Sequence, residues 1–223
     1  MTVSVIVPTL NEVAVLQGTV VSALGAYEVV VADGGSDDGT PELALRSGCR
    51  LVAAPRGRGL QQNAGAHVAR GDILLFLHAD TRLPVGFAEA VARSIRVHDG
   101  IWGRFDLRFD AGGPFVRLIA HLISWRSWAT GGATGDQAIF VRREVFESLG
   151  GFREPLLFED VELCCRLKRL GRPVIPPEPV ITSSRRWRED GAIRTTIMMW
   201  GLKLAYLAGV SSDRLARVYR DVR

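Results

Sequence analysis

Ile73-Leu74-Leu75-Phe76-Leu77-His78-Ala79-Asp80 is an apolar run that stops on a carboxylate. With no polar face along it, the stretch 72–77 reads as a strand buried on both sides, as strands of parallel sheets are. Open parallel sheets bind ligands beyond the carboxyl ends of their strands, which sets Asp80 at a ligand edge. The same pattern occurs earlier, where Glu28-Val29-Val30-Val31-Ala32 runs into Asp33 and then Gly34-Gly35-Ser36. Two strands that each deliver an acid to one edge suit a cation, or a metal ion holding phosphates.

Outward from these two stretches the first hundred residues alternate. Strands are expected at 3–7, 28–32, 50–53 and 72–77, and helices at 12–24, 38–46, 60–69 and 85–97, the last opened by Pro84. Such alternation with short connections is the sequence form of an α/β doubly wound, mostly parallel sheet. The period then changes. Ile101, Gly103, Phe105, Leu107 and Phe109 alternate with Trp102, Arg104, Asp106 and Arg108, which reads as one half-exposed strand. A helix over 115–128 would bury Phe115, Leu118, Ile119, Leu122 and Ile123 and expose Arg117 and His121. A Gly-rich loop, 131–135, leads to a strand at 137–141. A helix over 159–170 is closed by Gly171 and Pro173, a strand follows near 180–182, and the tail is helical over 192–210 and 212–222.

The chain of 223 residues is 47% hydrophobic and 23% charged, with a net charge of +4, which fits one globular domain with a C-terminal appendage. All but Lys168 and Lys203 of its 28 basic residues are Arg, but no run of five like charges occurs, so no nucleic-acid partner is expected. Cys49, Cys164 and Cys165 have neither disulfide-framework nor metal-ligand spacing. The start has no basic segment or cleavage site, and Arg194 and Lys203 interrupt the longest apolar stretch. A cytoplasmic chain is expected. Ile193, Ile197, Trp200, Leu204 and Leu207 form a helical stripe in the tail, suited to packing on the body, to a homodimer, or to peripheral contact at the inner membrane surface.

Chemistry is expected at the carboxyl edge. The first strand runs into Pro8-Thr9-Leu10-Asn11-Glu12, with no glycine fingerprint for a dinucleotide and no Walker loop anywhere. Asp33 stands where an acid reads a ribose or base, or else is a turn aspartate capping the helix that follows. Arg58, within Pro55-Arg56-Gly57-Arg58-Gly59 ahead of a helix, suits a pyrophosphate or is a solvated turn. Asp160, beside Glu159 and Glu162, either acts as a base or simply favours the helix start. Asp136 and Gln137 after the Gly-rich loop could hydrogen-bond an acceptor.

Four blocks occur in order: Ile6-Val7-Pro8-Thr9-Leu10-Asn11-Glu12; Val31-Ala32-Asp33-Gly34-Gly35-Ser36-Asp37-Asp38-Gly39-Thr40; Leu77-His78-Ala79-Asp80-Thr81; and Phe158-Glu159-Asp160-Val161-Glu162-Leu163 with Arg166-Leu167 and Gly171. Together they resemble family 2 glycosyltransferases of the GT-A fold over residues 1 to about 185. The His-Ala-Asp block, Trp102-Gly103-Arg104-Phe105 and Arg185-Arg186-Trp187 resemble a compact subgroup associated with arsenosugar biosynthesis or radical-SAM selenodomain proteins.

The resemblance implies a GT-A domain over 1–188, with a nucleotide-sugar half (1–98) and an acceptor and catalytic half (99–188), followed by a helical tail, 189–223. It implies inverting transfer of the hexosyltransferase type from a nucleotide-diphospho-sugar, UDP-linked, to a small-molecule or lipid-linked acceptor. Pro8, Thr9 and Glu12 would flank the nucleoside, Asp33 would bond the base, and Arg58 and His78 would lie at the donor. Asp80 would hold Mg²⁺ or Mn²⁺ on the diphosphate, with His78 in place of the usual first acid of Asp-x-Asp. Asp160 would be the general base. Trp102, Asp136, Gln137, Glu159, Arg186 and Trp187 are the candidates for the acceptor side. The rivals are a non-catalytic nucleotide-sugar binder and transfer to a thiol, selenol or oxo-acid.

Overall fold

Side chains of successive strand residues point to opposite faces of a sheet, so continuously apolar strands build two cores back to back. The computed structural model, which describes residues 1–153, 157–189 and 191–221, shows this arrangement. Strands β1 (Val3–Thr9), β2 (Glu28–Asp33), β3 (Arg50–Ala53) and β4 (Ile73–Phe76) are mutually parallel. Val3, Val5, Val7, Val31, Ile73 and Leu75 enter one core, and Ile6, Val30, Leu74 and Phe76 the other.

Helices α1 (Val13–Ser22), α2 (Thr40–Arg46) and, further along, α4 (Phe87–Val97) contribute to the first core. Helix α3 (Arg58–Val68) contributes to the second, so closely that a Cβ on Gly65 would lie 2.5 Å from Ile6 Cγ2. The short β5 (Thr81–Arg82) follows β4, then β6 (Trp102–Gly103) and β7 (Leu107–Phe109). Helix α5 (Pro114–Thr130) leads through a Gly-rich loop and a 3₁₀ turn, Gly135–Gln137, into β8 (Phe140–Arg142) and α6 (Arg143–Ser148). The remainder is α7 (Glu159–Leu170), β9 (Val180–Thr182), α8 (Arg185–Glu189), α9 (Ala192–Leu207) and α10 (Ser212–Asp221).

The main sheet has the order β3-β2-β1-β4-β8-β6, with β8 antiparallel to both neighbours, and β5-β9-β7 form a second sheet. Strand order reverses between β1 and β4, the topological switch point at which such sheets open a crevice. The β1/β4 pairing ends at Ile6 and Phe76, so Pro8, which has no N–H to donate, falls where the two strands have parted.

Two expectations are corrected. The single strand over 101–109 is two pieces, β6 in the main sheet and β7 in the small one, and its supposedly polar members Trp102 and Arg104 are wholly buried. Arg104 tolerates this because Asp106 and the Phe105 and Ser124 carbonyls accept from its guanidinium. Second, α5 buries Val116, Ile119, Ala120, Ile123 and Ser127 and leaves Phe115, Leu118 and Leu122 exposed. The C-terminal helices meet the body in a third cluster, in which Leu202 of α9 and Leu215 of α10 pack with Phe158 and Val161 at the start of α7. Among the described residues no helix is long and apolar enough to cross a membrane.

Candidate functional site

One side of the ligand edge is built where β1 and β2 end in register, Thr9 opposite Asp33. Asp33 Oδ1 accepts from Thr9 Oγ1 at 2.9 Å and from Ser36 Oγ, and Oδ2 accepts from Gly35 N (2.9 Å) and Ser36 N (2.8 Å). A carboxylate has about four lone-pair sites, and all are used. Burial pushes the acid up, but the bonds from Ser36, Thr9 and Gly35 outweigh it and hold Asp33 below its ordinary value. As it stands, Asp33 is the keystone of this turn, and a nucleobase reaching its carboxylate would have to displace one of those bonds.

The two loops beyond are laced together. Ser36 Oγ accepts from Asn11 N at 2.9 Å, Asn11 Oδ1 accepts from Asp37 N at 3.0 Å, and Thr40 Oγ1 accepts from Glu12 N at 2.9 Å. Gln61 on α3 donates Nε2 to the carbonyls of Thr9 (2.6 Å) and Ala32 (3.1 Å), capping both strand ends. No motif flagged Gln61, because its role depends on where α3 lands.

Asp80 lies four residues past β4, in the turn to β5. That turn is held on three sides: Thr19 Oγ1 of α1 donates to the Ala79 carbonyl (2.6 Å), Ser183 N to the Asp80 carbonyl (3.2 Å), and the Thr81 and Thr182 hydroxyls pair at 2.9 Å. Both His78 and Asp80 are half-buried. Among the described residues no three His, Cys, Asp or Glu side chains gather to hold a metal ion by themselves. One carboxylate beside one imidazole nevertheless fits an ion carried mainly by diphosphate oxygens and water, the manner in which Mg²⁺ is commonly bound.

Asp160 stands in the first turn of α7. Its Oδ2 accepts from Gly135 N at 2.6 Å and its Oδ1 from Val161 N at 2.7 Å, which fixes the carboxylate while leaving each oxygen a lone pair. A Cβ on Gly135 would lie 2.4 Å from His78 Nε2 and 3.5 Å from Asp160 Oδ2, so only glycine lets the loop pass between them. The candidate donor imidazole and the candidate base thus meet on a residue that the sequence marked only as part of a Gly-rich loop. Phe158, just before α7, adopts φ 69, a conformation that costs an aromatic residue about 1–3 kcal/mol. Its packing on Tyr206, with ring centroids 5.2 Å apart, helps to hold it there.

Arg58 and Glu159 join the two sides, Nη1 to Oε1 at 3.3 Å. Burial raises the Glu159 acid, Arg58 opposes that, and the charge of Asp160 adds to it. Asp136 is likewise raised, by burial first and by Asp160, against the Thr134 hydroxyl and Arg126. Lys203 from α9 and Arg126 from α5 lie close enough to Asp136 and Asp160 for their charges to be felt, and burial lowers both cations. The sequence marks neither, because the fold alone decides which residues of α5 and α9 turn toward the two acids.

Several acceptor candidates have other duties. Trp102 is in the second core and donates Nε1 to the Gly171 carbonyl at 2.9 Å, so it lines no pocket. Gln137 is wholly buried, with Oε1 accepting from Ser127 Oγ (2.8 Å) and Thr134 N (3.1 Å) and Nε2 donating to the Phe105 carbonyl (3.3 Å). It anchors the Gly-rich loop from inside. Trp187 packs edge-on against Phe109 at 5.6 Å and borders the first core. The side chain of Arg186 lies outside the described residues. A cavity of about 570 Å³ at the opposite edge, between Met1–Val3, Gly25–Tyr27 and α4, contains none of these groups and is not the site.

The family model described as "Glycosyl transferase family 2" matches residues 4–150. A PGL/p-HBAD biosynthesis glycosyltransferase of Mycobacterium bovis (strain BCG / Pasteur 1173P2) is 34% identical over 167 residues, 67% of this chain and 62% of the relative. The chain spans about three fifths of the length of the curated relatives it matches. Among solved structures, S. aureus TarS 1–349 in complex with UDP superposes with a TM-score of 0.64 at 19% identity, covering 82% of this chain and 60% of that one. Glucosyl-3-phosphoglycerate synthase from Mycobacterium tuberculosis, with Mn²⁺, UDP and phosphoglyceric acid, gives 0.54 at 25% identity, over 78% and 66%. The α/β fold with its mostly parallel central sheet is therefore that of GT-A glycosyltransferases.

Proposed function

The chain belongs to glycosyl transferase family 2, and on that premise we propose that it is an inverting enzyme moving a sugar from a nucleotide-diphospho-sugar to an acceptor hydroxyl, with Asp160 as general base. What supports this is the setting of Asp160: its carboxylate accepts from Gly135 N at 2.6 Å, and Gly135 in turn lies against His78, just beyond the end of β4. UDP in the two solved neighbours supports a UDP-linked donor.

In this reading the nucleoside lies along Pro8, Thr9 and Glu12, with Asp33 beneath it as the rigid floor, and the diphosphate points to the Asp80 turn. A divalent ion, Mg²⁺ or Mn²⁺, would be held by Asp80 with His78 alongside, and when bound it offsets negative charge on the leaving diphosphate. Asp160 takes the proton from the acceptor hydroxyl as that oxygen attacks the anomeric carbon from the face opposite the leaving group. One positioned carboxylate contributes on the order of 10²–10⁴ in rate, and no carboxylate nucleophile is needed, in contrast to a retaining glycosidase. Glu159 and Arg58 act as the brace between donor and acceptor sides.

The narrower subgroup, with its unusual acceptors, rested on His78, the 102–105 block and the 185–187 block. Trp102 and Arg104 are wholly buried and Trp187 packs on Phe109, so these three side chains are engaged in the fold. Transfer to a small molecule or a lipid-linked group is the reading kept, with a thiol, selenol or oxo-acid acceptor as its rival.

The proposal is tested by thermal unfolding with UDP, Mn²⁺ and a chelator. A ligand at 100 times its Kd stabilises by about 2.7 kcal/mol, and UDP is expected to raise the melting temperature more with Mn²⁺ than with chelator. Equal stabilisation in both conditions removes the ion from Asp80. No stabilisation by UDP, GDP or TDP in either contradicts a nucleotide-sugar donor.

A further inference from the structure

Helix α5 has a solvent face that the fold does not use. Its buried residues line one side, and on the other Phe115, Leu118 and Leu122 are each about half exposed, with Trp125 at 65% and Trp128 at 70%. Scattered exposed apolar residues are ordinary, but a contiguous stripe with two tryptophans is not. Helix α9 repeats the pattern with Ile197, Trp200 and Leu204, at 68%, 47% and 63%.

Charge identifies the occupant. Neither α5 nor α9 contains an Asp or Glu, whereas Arg117, His121 and Arg126 lie on the first and Arg194 and Lys203 on the second. Arg117, His121 and Arg194 are exposed alongside the apolar stripes. A two-fold contact between copies would bring the same patch face to face, setting these cations against one another with no acid on either helix to pair with them. An anionic lipid surface attracts the cations and takes up the apolar side chains, and tryptophan favours that interface.

We propose that the exposed face of α5, together with the similar face of α9, is a docking surface for an anionic lipid membrane. The surface is independent of which sugar is transferred. Its consequence for the site is one of position: α5 ends at Thr130 and runs through Gly131 into the loop whose Gly135 holds Asp160. Docking therefore brings the acceptor side of the crevice to the lipid surface.

Co-sedimentation of the full chain with vesicles of phosphatidylcholine alone, and of equimolar phosphatidylcholine and phosphatidylglycerol, tests this. The protein is expected to sediment with the anionic vesicles and to stay in solution with the neutral ones. The triple substitution Leu118→Ser, Trp125→Ser, Trp128→Ser should weaken sedimentation about tenfold or more, as loss of apolar insertion predicts, with an unchanged melting curve. Brominated lipid in the anionic vesicles should quench tryptophan emission of the wild type, a readout that needs no variant. A wild type that stays in solution with both vesicles, a well-folded variant that binds equally, or unquenched emission in bound protein overturns the proposal. A wild-type dimer that the triple substitution dissociates, without vesicle binding, assigns the face to a second copy instead.

Discussion

Asp33 accepts bonds from Thr9, Gly35 and Ser36 on both oxygens, and its acid strength follows from them. Its folded pKa is depressed, so the stability it contributes is complete above its unfolded value of 3.8 and is lost as pH falls through the lower folded value. In urea unfolding, Asp33→Asn should therefore be less stable than wild type near neutral pH, with the difference shrinking below 3.8; a difference constant with pH would contradict the bonding pattern. Gly135 gives a second residue-scale prediction. Gly135→Ala would press on His78 Nε2 and shift Asp160, so turnover should fall about tenfold or more, consistent with the sensitivity of catalysis to small misplacements. Full activity in this variant would show that the contact does not position the base. Asp33 and Asp80 are marked in the sequence by the strands they follow, whereas Asp160 is marked only by the resemblance of its Phe-Glu-Asp block, since a helix start favours acids without any function. Gly135, Gln61 and Lys203 are not so marked, because each acts on a partner that only the folded chain brings near.

The helices that carry the site depend on distant elements. The first turn of α7 holds the candidate base, and beneath it Phe158 and Val161 pack with Leu202 and Leu215 from the tail. Leu202→Ala should cost about 2–5 kcal/mol and, because the cavity opens under α7, should lower turnover as well. A full loss of stability with unchanged turnover would mean that α7 is positioned without the tail. At this scale the sequence was read well where burial is two-sided, as in β1, β2 and β4, and poorly where it alternates, as over 101–109. Alternation over 101–109 suggested one polar face, yet Arg104 is buried, because Asp106 and two carbonyls compensate its charge. In α5 the apolar residues exceed what one core can take, and sequence periodicity does not say which half faces water.

For the whole molecule, the parallel sheet and its ligand edge were expected from the alternation of elements. The long-range order was not: β8 enters antiparallel beside β4 and brings the 131–142 segment against the first half. Gly135 on that segment then lies between His78, beyond β4, and Asp160 on α7, and the Arg58–Glu159 pair ties α3 to α7. A transfer reaction needs both sides at once, which is why the account rests on Asp160 more than on any donor contact. The most direct measurement compares Asp160→Asn with wild type for UDP-sugar affinity, and for donor turnover by transfer or hydrolysis. Affinity within a few-fold of wild type and turnover lower by on the order of 10²–10⁴ is the predicted result. Undiminished turnover in the variant would contradict the assignment of Asp160 as the base.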